Sequence, residues 1–323
     1  MEVPALVERV RNGDVRAIAR AISLVENAAA ELRPIMAGLA PGTGRARIVG
    51  LTGSPGVGKS TSSNALVAAL RARGRTVAVL AVDPSSPFSG GALLGDRIRM
   101  QEHALDGGVF IRSMASRGHL GGLSWATPHA LRVLDAGGFD VILVETVGVG
   151  QAEVDVAGHA DTTLVLVAPG MGDSVQAAKA GVLEVADIFV VNKADRDGAH
   201  VTVRELRQMT AQADRGPDAW RPPIVSTVAA KSEGVEELLD RLDEHDAHLR
   251  ASGELDRRRR ARARAEVEAI ALRALQDRIG GIGGHADLDE LADAVVAGRS
   301  DPYAAADALL AALSEQQGSE QQG

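Results

Sequence analysis

The segment Gly53-Ser54-Pro55-Gly56-Val57-Gly58-Lys59-Ser60 restricts the fold of this 323-residue chain more than any other. It fits the pattern G-x-x-x-x-G-K-[ST], with an apolar run at 48–51 before it and a helical pattern after it. Glycines in such a loop let backbone N–H groups turn inward as an anion nest, and the N-terminus of the following helix adds its positive end. A loop of this kind needs a strand to launch it and a helix to leave by. Lys59 then reaches the β- and γ-phosphates of a nucleotide, Ser60 ligates Mg²⁺, and Thr61 ends the nucleotide-binding string. The bland alternative is a glycine-rich turn that contains Gly-Lys-Ser by chance. Lysine usage weighs against it. Only Lys59, Lys179, Lys193 and Lys231 occur, and the other basic residues are all arginine. Where charge alone is needed this chain uses arginine, so a lysine marks a position that needs a compact ammonium.

Further apolar runs lie at 77–82, 141–144, 164–168, 188–191 and 224–225, most of them separated by helical segments. Short apolar runs divided by helices mean crossover connections. The expected fold is therefore α/β: a P-loop NTPase with a mostly parallel, doubly wound sheet at 45–252. Residues 1–44 read as an extension of two or three short helices, with Asp14 placed to cap one of them. Beyond Gly253 the texture changes to a charged helix over 254–278, then helices near 288–296 and 302–313, with Asp301-Pro302 as a start signal. This 253–313 segment has too little apolar surface for its own core and reads as a helical arm, expected to dimerise. The polar duplication at 314–323 is expected to be disordered.

Two more motifs surround the phosphate loop. Asn192-Lys193-Ala194-Asp195 follows the 188–191 run and matches N-K-x-D, in which an aspartate accepts from N1–H and the 2-amino group of guanine. Adenine offers neither donor in that geometry. The alternative is a strand-ending turn whose Asp195 caps the next helix; the two lysines favour guanine. The 141–144 run ends in Glu145, followed by Thr146-Val147-Gly148. Glu145 suits Mg²⁺, directly or through water, and the Gly148 amide suits the γ-phosphate. Asp83, closing the 77–82 run, and Asp96 are two further carboxylates for the same charged site, and either is equally readable as a cap or turn residue. No glutamine directly follows Gly148 to orient water; Gln151 lies three residues on, and if it does not take that role intrinsic hydrolysis is expected to be slow and open to stimulation.

These strings resemble the MeaB/ArgK family of GTPases associated with methylmalonyl-CoA mutase. The likeness is carried by GSPGVGKST at 53–61, VDPSSPFSGGALLGDRIRM at 82–100, ETVGVGQAEVDV at 145–156, PGMGDSVQAAKAG at 169–181 and VNKAD at 191–195. The resemblance implies a GTPase that pairs as a homodimer, gates cofactor loading of an adenosylcobalamin-dependent acyl-CoA mutase, and hydrolyses GTP slowly until the mutase stimulates it. It implies GTP/GDP and Mg²⁺ as cofactors, with Lys59, Asp96 and Glu145 as catalytic residues and Ser60, Asp83, Asp96 and Glu145 around the metal. It also implies an additional switch carrying Asp173, Gln176 and Lys179. One departure is visible: Val228-Ala229-Ala230 stands where a guanine-contacting Ser-Ala or Ser-Gly is expected. Because that contact is made by backbone N–H, Ala229 can still serve. The family has also been described as an ArgK-type kinase acting on transport components, which is the alternative reading; the sequence nominates no base for a phosphate acceptor.

Composition excludes several other classes. The net charge of −8 and only seven aromatic residues argue against a nucleic-acid partner. Cysteine is absent, so disulfides and thiolate zinc sites are out. No apolar run exceeds six residues, and the first ten residues carry two glutamates and no leader pattern, so a cytoplasmic chain without membrane segments is expected. The arginine cluster at 257–264 reads as a solvated helix face, with contact to an acidic partner or to nucleic acid as the alternative.

Overall fold

The computed structural model describes residues 2–83, 102–103, 105–115, 125–146, 152–170, 185–212, 216, 219–279 and 286–320. The chain divides into two compact units, Met1–Arg259 and Arg260–Gly323. In the first unit three helices lead in: α1 (Val3–Arg11), α2 (Val15–Glu26) and α3 (Leu32–Leu39). Asp14 caps α2 as its position suggested, its carboxylate accepting from the amides of Arg16 and Ala17.

There follow β1 (Arg47–Thr52), α4 (Lys59–Ala72), β2 (Val77–Asp83), β3 (Val109–Ala115), α5 (Thr127–Ala136), β4 (Val141–Thr146), α6 (Ala152–His159), β5 (Thr162–Val167), β6 (Ile188–Asn192), α7 (Ala199–Gln212), β7 (Ile224–Thr227) and α8 (Val235–Ala251). The seven described strands form one sheet in the order β3-β2-β4-β1-β5-β6-β7, every pair parallel. Both faces are covered, which explains the unbroken apolar runs. Successive residues point to opposite faces. Leu80, Val82, Ile142 and Val144 pack with α5 and the three N-terminal helices. Val79, Leu143, Leu51 and Leu166 pack with α4 and α8. The N-terminal helices thus share the sheet's core. Ile18, Ile22 and Ile35 are fully buried there, at about 2 kcal/mol of transfer free energy each.

Strand β3 is absent from the sequence expectation. Its residues, VFIRSMA, contain no long apolar run because this edge strand keeps Arg112 for Glu26 and Ser23 of α2. A second correction concerns the arginine cluster, which is not simply a solvated face. Helix α9 (Glu254–Ile279) begins in the first unit, and Arg258 grips Asp187 through two bonds of 2.9 Å. Arg259 donates to Asp161 at 2.8 and 3.2 Å and to the carbonyls of Gly44 and Ala46. The two aspartates are buried just before β5 and β6 and also accept from the amides of Ile48 and Thr163.

In the second unit α10 (Ala286–Val296) packs on α11 (Pro302–Glu320), whose start is capped by Asp301. Helix α11 runs to Glu320, through part of the segment expected to be disordered; Glu and Gln extend an existing helix readily. Val267, Leu275, Val296 and Tyr303 are exposed. No helix among the described residues is long and apolar enough to cross a membrane.

The Asp187 pair generates a prediction. Burial pushes the Asp187 carboxyl up, but His245 and Arg258 together hold it below the usual carboxylate range. Its stabilisation is therefore present above the unfolded value of about 3.9 and is lost as pH falls through the lower folded value. Asp187→Asn should cost about 3 kcal/mol at pH 7, because it leaves Arg258 without its buried counter-charge. Urea unfolding should show the gap to the parent closing as the pH drops below about 4; a gap that does not depend on pH would contradict this.

Candidate nucleotide site

Strand β1 lies at the centre of the sheet, and its chain turns sharply as it leaves. Gly53 has φ +140, and a side chain there would run into the Leu166 carbonyl of β5. Gly56 and Gly58 are also left-handed, at φ +81 and +96. Only glycine adopts this run without strain. Ser54 and Pro55 form the outer part of the turn, while Val57 packs down into the core. Helix α4 then starts at Lys59, its first-turn N–H groups facing the loop with the positive end of the helix. The Lys59 ammonium is buried against the loop, donating to the carbonyls of Gly53 at 2.5 Å and Ser54 at 3.3 Å. Thr61 follows, half-buried.

Beside the loop sits Glu145. It is only 1% exposed, and its neighbours in register are Leu51 of β1 and Ala81 of β2. The Ser60 hydroxyl donates to one carboxylate oxygen at 2.8 Å, and the Ser63 hydroxyl donates to the other. Two hydroxyls offset the cost of burying this acid. Ser63 was missed in the sequence, although it lies one helical turn after Ser60 and so on the same face of α4. Asp83 closes β2, one residue beyond Val82, which pairs with Thr146 of β4. The Asp83 side chain and the whole of Asp96, Gly148, Gln151, Asp173, Gln176 and Lys179 lie outside the described residues. Among the described residues no group of three or more His, Cys, Asp or Glu could hold a metal ion.

The third group comes from the ends of β6 and β7. Asn192 is buried and donates to the Val57 carbonyl at 2.8 Å. Its oxygen accepts from the Thr227 hydroxyl at 3.2 Å and the Ala229 amide at 3.1 Å. Asn192 thus ties the phosphate loop to the turn after β7. Lys193, at φ +58, reaches the Gly56 carbonyl at 2.5 Å. Asp195 does not cap a helix: α7 starts later, at Ala199, and the Asp195 carboxylate meets Lys231 at 3.2 Å. The pair is open to solvent, 43% and 57% exposed. Val228 and Ala229 are buried and Ala230 is exposed, so Val228 fills a core position rather than a polar one. Thr227 and Lys231 join the cluster beyond the sequence expectation. The scarcity of lysine marked Lys231 as much as Lys193, but only the fold brings it to Asp195.

The structure therefore places an anion nest, a buried acid with two hydroxyls, and an open carboxylate along the C-terminal edge of one parallel sheet. Residues 18–282 match the family described as "Methylmalonyl Co-A mutase-associated GTPase MeaB". The chain belongs to this family of GTPases. A relative from Pyrococcus abyssi, named as a GTPase, is 49% identical over 310 residues, covering 95% of this chain and 96% of its own. The GTPase ArgK of Escherichia coli is 39% identical over 257 residues, 77% of each chain. A solved structure described as an LAO/AO transport system kinase superposes with a TM-score of 0.73 at 28% identity, covering 97% of this chain and 96% of its own.

Asn192→Ala should lower stability by about 2 kcal/mol, since it leaves the Val57 carbonyl and the Ala229 amide without partners. Denaturant unfolding without nucleotide checks this. An unchanged midpoint would mean that the loop is held by other contacts.

Proposed function

We propose that this MeaB-family GTPase binds GTP with Mg²⁺ at the loop after β1, hydrolyses it, and uses the cycle to assist cofactor loading and protection of an adenosylcobalamin-dependent acyl-CoA mutase. Methylmalonyl-CoA mutase is the client that the family description points to. The observation that carries the reading is the Ser60–Glu145 contact beside the Lys59 loop. An all-oxygen pair at that spot fits a hard cation, which prefers carboxylate and hydroxyl oxygens.

In this reading the backbone N–H groups of residues 56–60 cradle the phosphates. Lys59 exchanges its two loop carbonyls for the β- and γ-phosphate oxygens. Ser60 and Glu145 hold the metal, with Asp83 and Asp96 supporting them; when bound, the metal neutralises charge on those oxygens. Asp195 accepts the two guanine donors, which requires it to share or give up Lys231, and Ala229 offers its amide beside the base. Gly148 belongs to the γ-phosphate side, Asp96 and Glu145 flank the attacking water, and Gln151, Asp173, Gln176 and Lys179 belong to the switch that answers to the mutase. The exposed apolar side chains at Val267, Leu275 and Tyr303 support a homodimer through the helical arm. The reading is of a cytoplasmic protein without a nucleic-acid or membrane partner.

The alternative is transfer of the γ-phosphate to an acceptor, which the likeness to a solved transport system kinase favours. Incubation with γ-labelled GTP separates the two. The proposal expects free phosphate, released on the order of tenfold faster with saturating mutase. Lys179→Ala should keep the unstimulated rate and lose most of that stimulation. Label appearing on protein instead of in solution, or a rate indifferent to the mutase, would contradict it.

A further inference from the structure

The phosphate loop lies at the C-terminal ends of the strands. At the opposite ends, where β1, β2 and β4 begin, side chains of α8 line a cavity of about 320 Å³. The six residues of β1 separate the two places by roughly 20 Å at the extended rise. A nucleotide's phosphates in the loop do not reach this cavity.

The acids in its wall already have donors. Asp135 accepts from the amides of Gly44, Arg45 and Ala46. Asp140 accepts from the Thr76 amide and hydroxyl, and Asp246 from Arg250. Asp243 is shared between Arg47 at 2.9 Å and Arg73 at 3.2 Å. The bases are not so well served. Arg47 is 13% exposed and pairs only through Nη1. Its Nε and Nη2 are shielded from water and have no acceptor among the described residues. Those two atoms form the flat edge of the guanidinium that binds oxyanions through parallel bonds. Arg45 and Arg75 line the same cavity, exposed and without an ion pair among the described residues. Burial lowers the Arg47 pKa, against the opposing pull of Asp246, Asp243 and Asp161.

We propose that this cavity is a second anion site that takes a phosphate group, met at the mouth by Arg45 and Arg75 and held by the Nε–Nη2 edge of Arg47 once that side chain turns out of its shielded position. A carboxylate has two oxygens, and the Arg47 edge uses both. A phosphate offers a third to Arg45 and Arg75. These two side chains turn toward an entering anion without breaking an ion pair. The volume holds on the order of ten waters, more than one phosphate needs. A phosphate monoester with a small organic part therefore fits as well as the free ion.

The test is thermal unfolding of the full chain saturated with GDP and Mg²⁺, so that the nucleotide loop is filled. Inorganic phosphate or glycerol 3-phosphate replaces chloride at constant ionic strength. The midpoint of the parent should rise with either compound. A rise at lower concentration with the monoester points to a phosphorylated metabolite, and equal rises point to free phosphate. The double variant Arg45→Ala/Arg75→Ala should keep the parental midpoint without phosphate and need roughly tenfold more of it for the same rise. Arg47→Met should lose the rise altogether; if it fails to fold, the double variant decides. The same titration on Lys59→Ala without nucleotide should still show the rise, since the loop's own phosphate grip is removed there. No response in the parent beyond the chloride control, or equal responses in parent and variants, would overturn the proposal and leave Arg47 as a buried structural cation only.

Discussion

The whole C-terminal edge of the sheet depends on how closely the loop after β1 is pressed against β5. The Leu166 carbonyl occupies the place where any side chain at Gly53 would go. That approach fixes the direction in which the loop leaves the sheet, and hence where α4 starts. Three side chains then secure the loop from separate elements. Lys59 holds it from α4, Asn192 from the end of β6, and Lys193 from the turn beyond. Each bonds a loop carbonyl, so the loop's amides stay turned the other way. An anion nest is the consequence.

The other end of the sheet is held by charge. Asp161 and Asp187 stand just before β5 and β6, and each takes backbone amides on one side and an arginine of α9 on the other. These are buried pairs, whose main effect is that neither partner tolerates loss of the other. Between the two ends the sheet is apolar on both faces. The N-terminal helices cover one face with α5, and α4 with α8 covers the other. Dividing the work this way puts the buried arginine–aspartate pairs at the end of the sheet away from the nucleotide edge.

Much of this was legible from residue order. A glycine-rich loop after an apolar run, and an acid at the end of another run, identify β1 and β4 because parallel strands buried on both faces must be continuously apolar. Strand β3 was not legible, since an edge strand that pairs Arg112 with Glu26 has no such run. The roles of Arg258 and Arg259 were hidden for a different reason. Their partners lie 71 and 98 residues away, and helical spacing alone shows only a charged face. Lys231 opposite Asp195 is likewise a product of β6 and β7 lying side by side. Ser63 is the exception, a contact that the period of α4 contained.

The central claim is that a guanine nucleotide sits at this edge with its base on Asp195. Asp195→Asn tests it by gain as well as loss. An amide NH₂ donates where the carboxylate accepted, so it should meet the 2-oxo group of xanthine instead of the 2-amino group of guanine. Calorimetric titration of parent and variant with GTP and xanthosine triphosphate, both with Mg²⁺, should show preference for GTP in the parent and for xanthosine triphosphate in the variant. Parent-like affinity for both triphosphates in the variant would contradict the account.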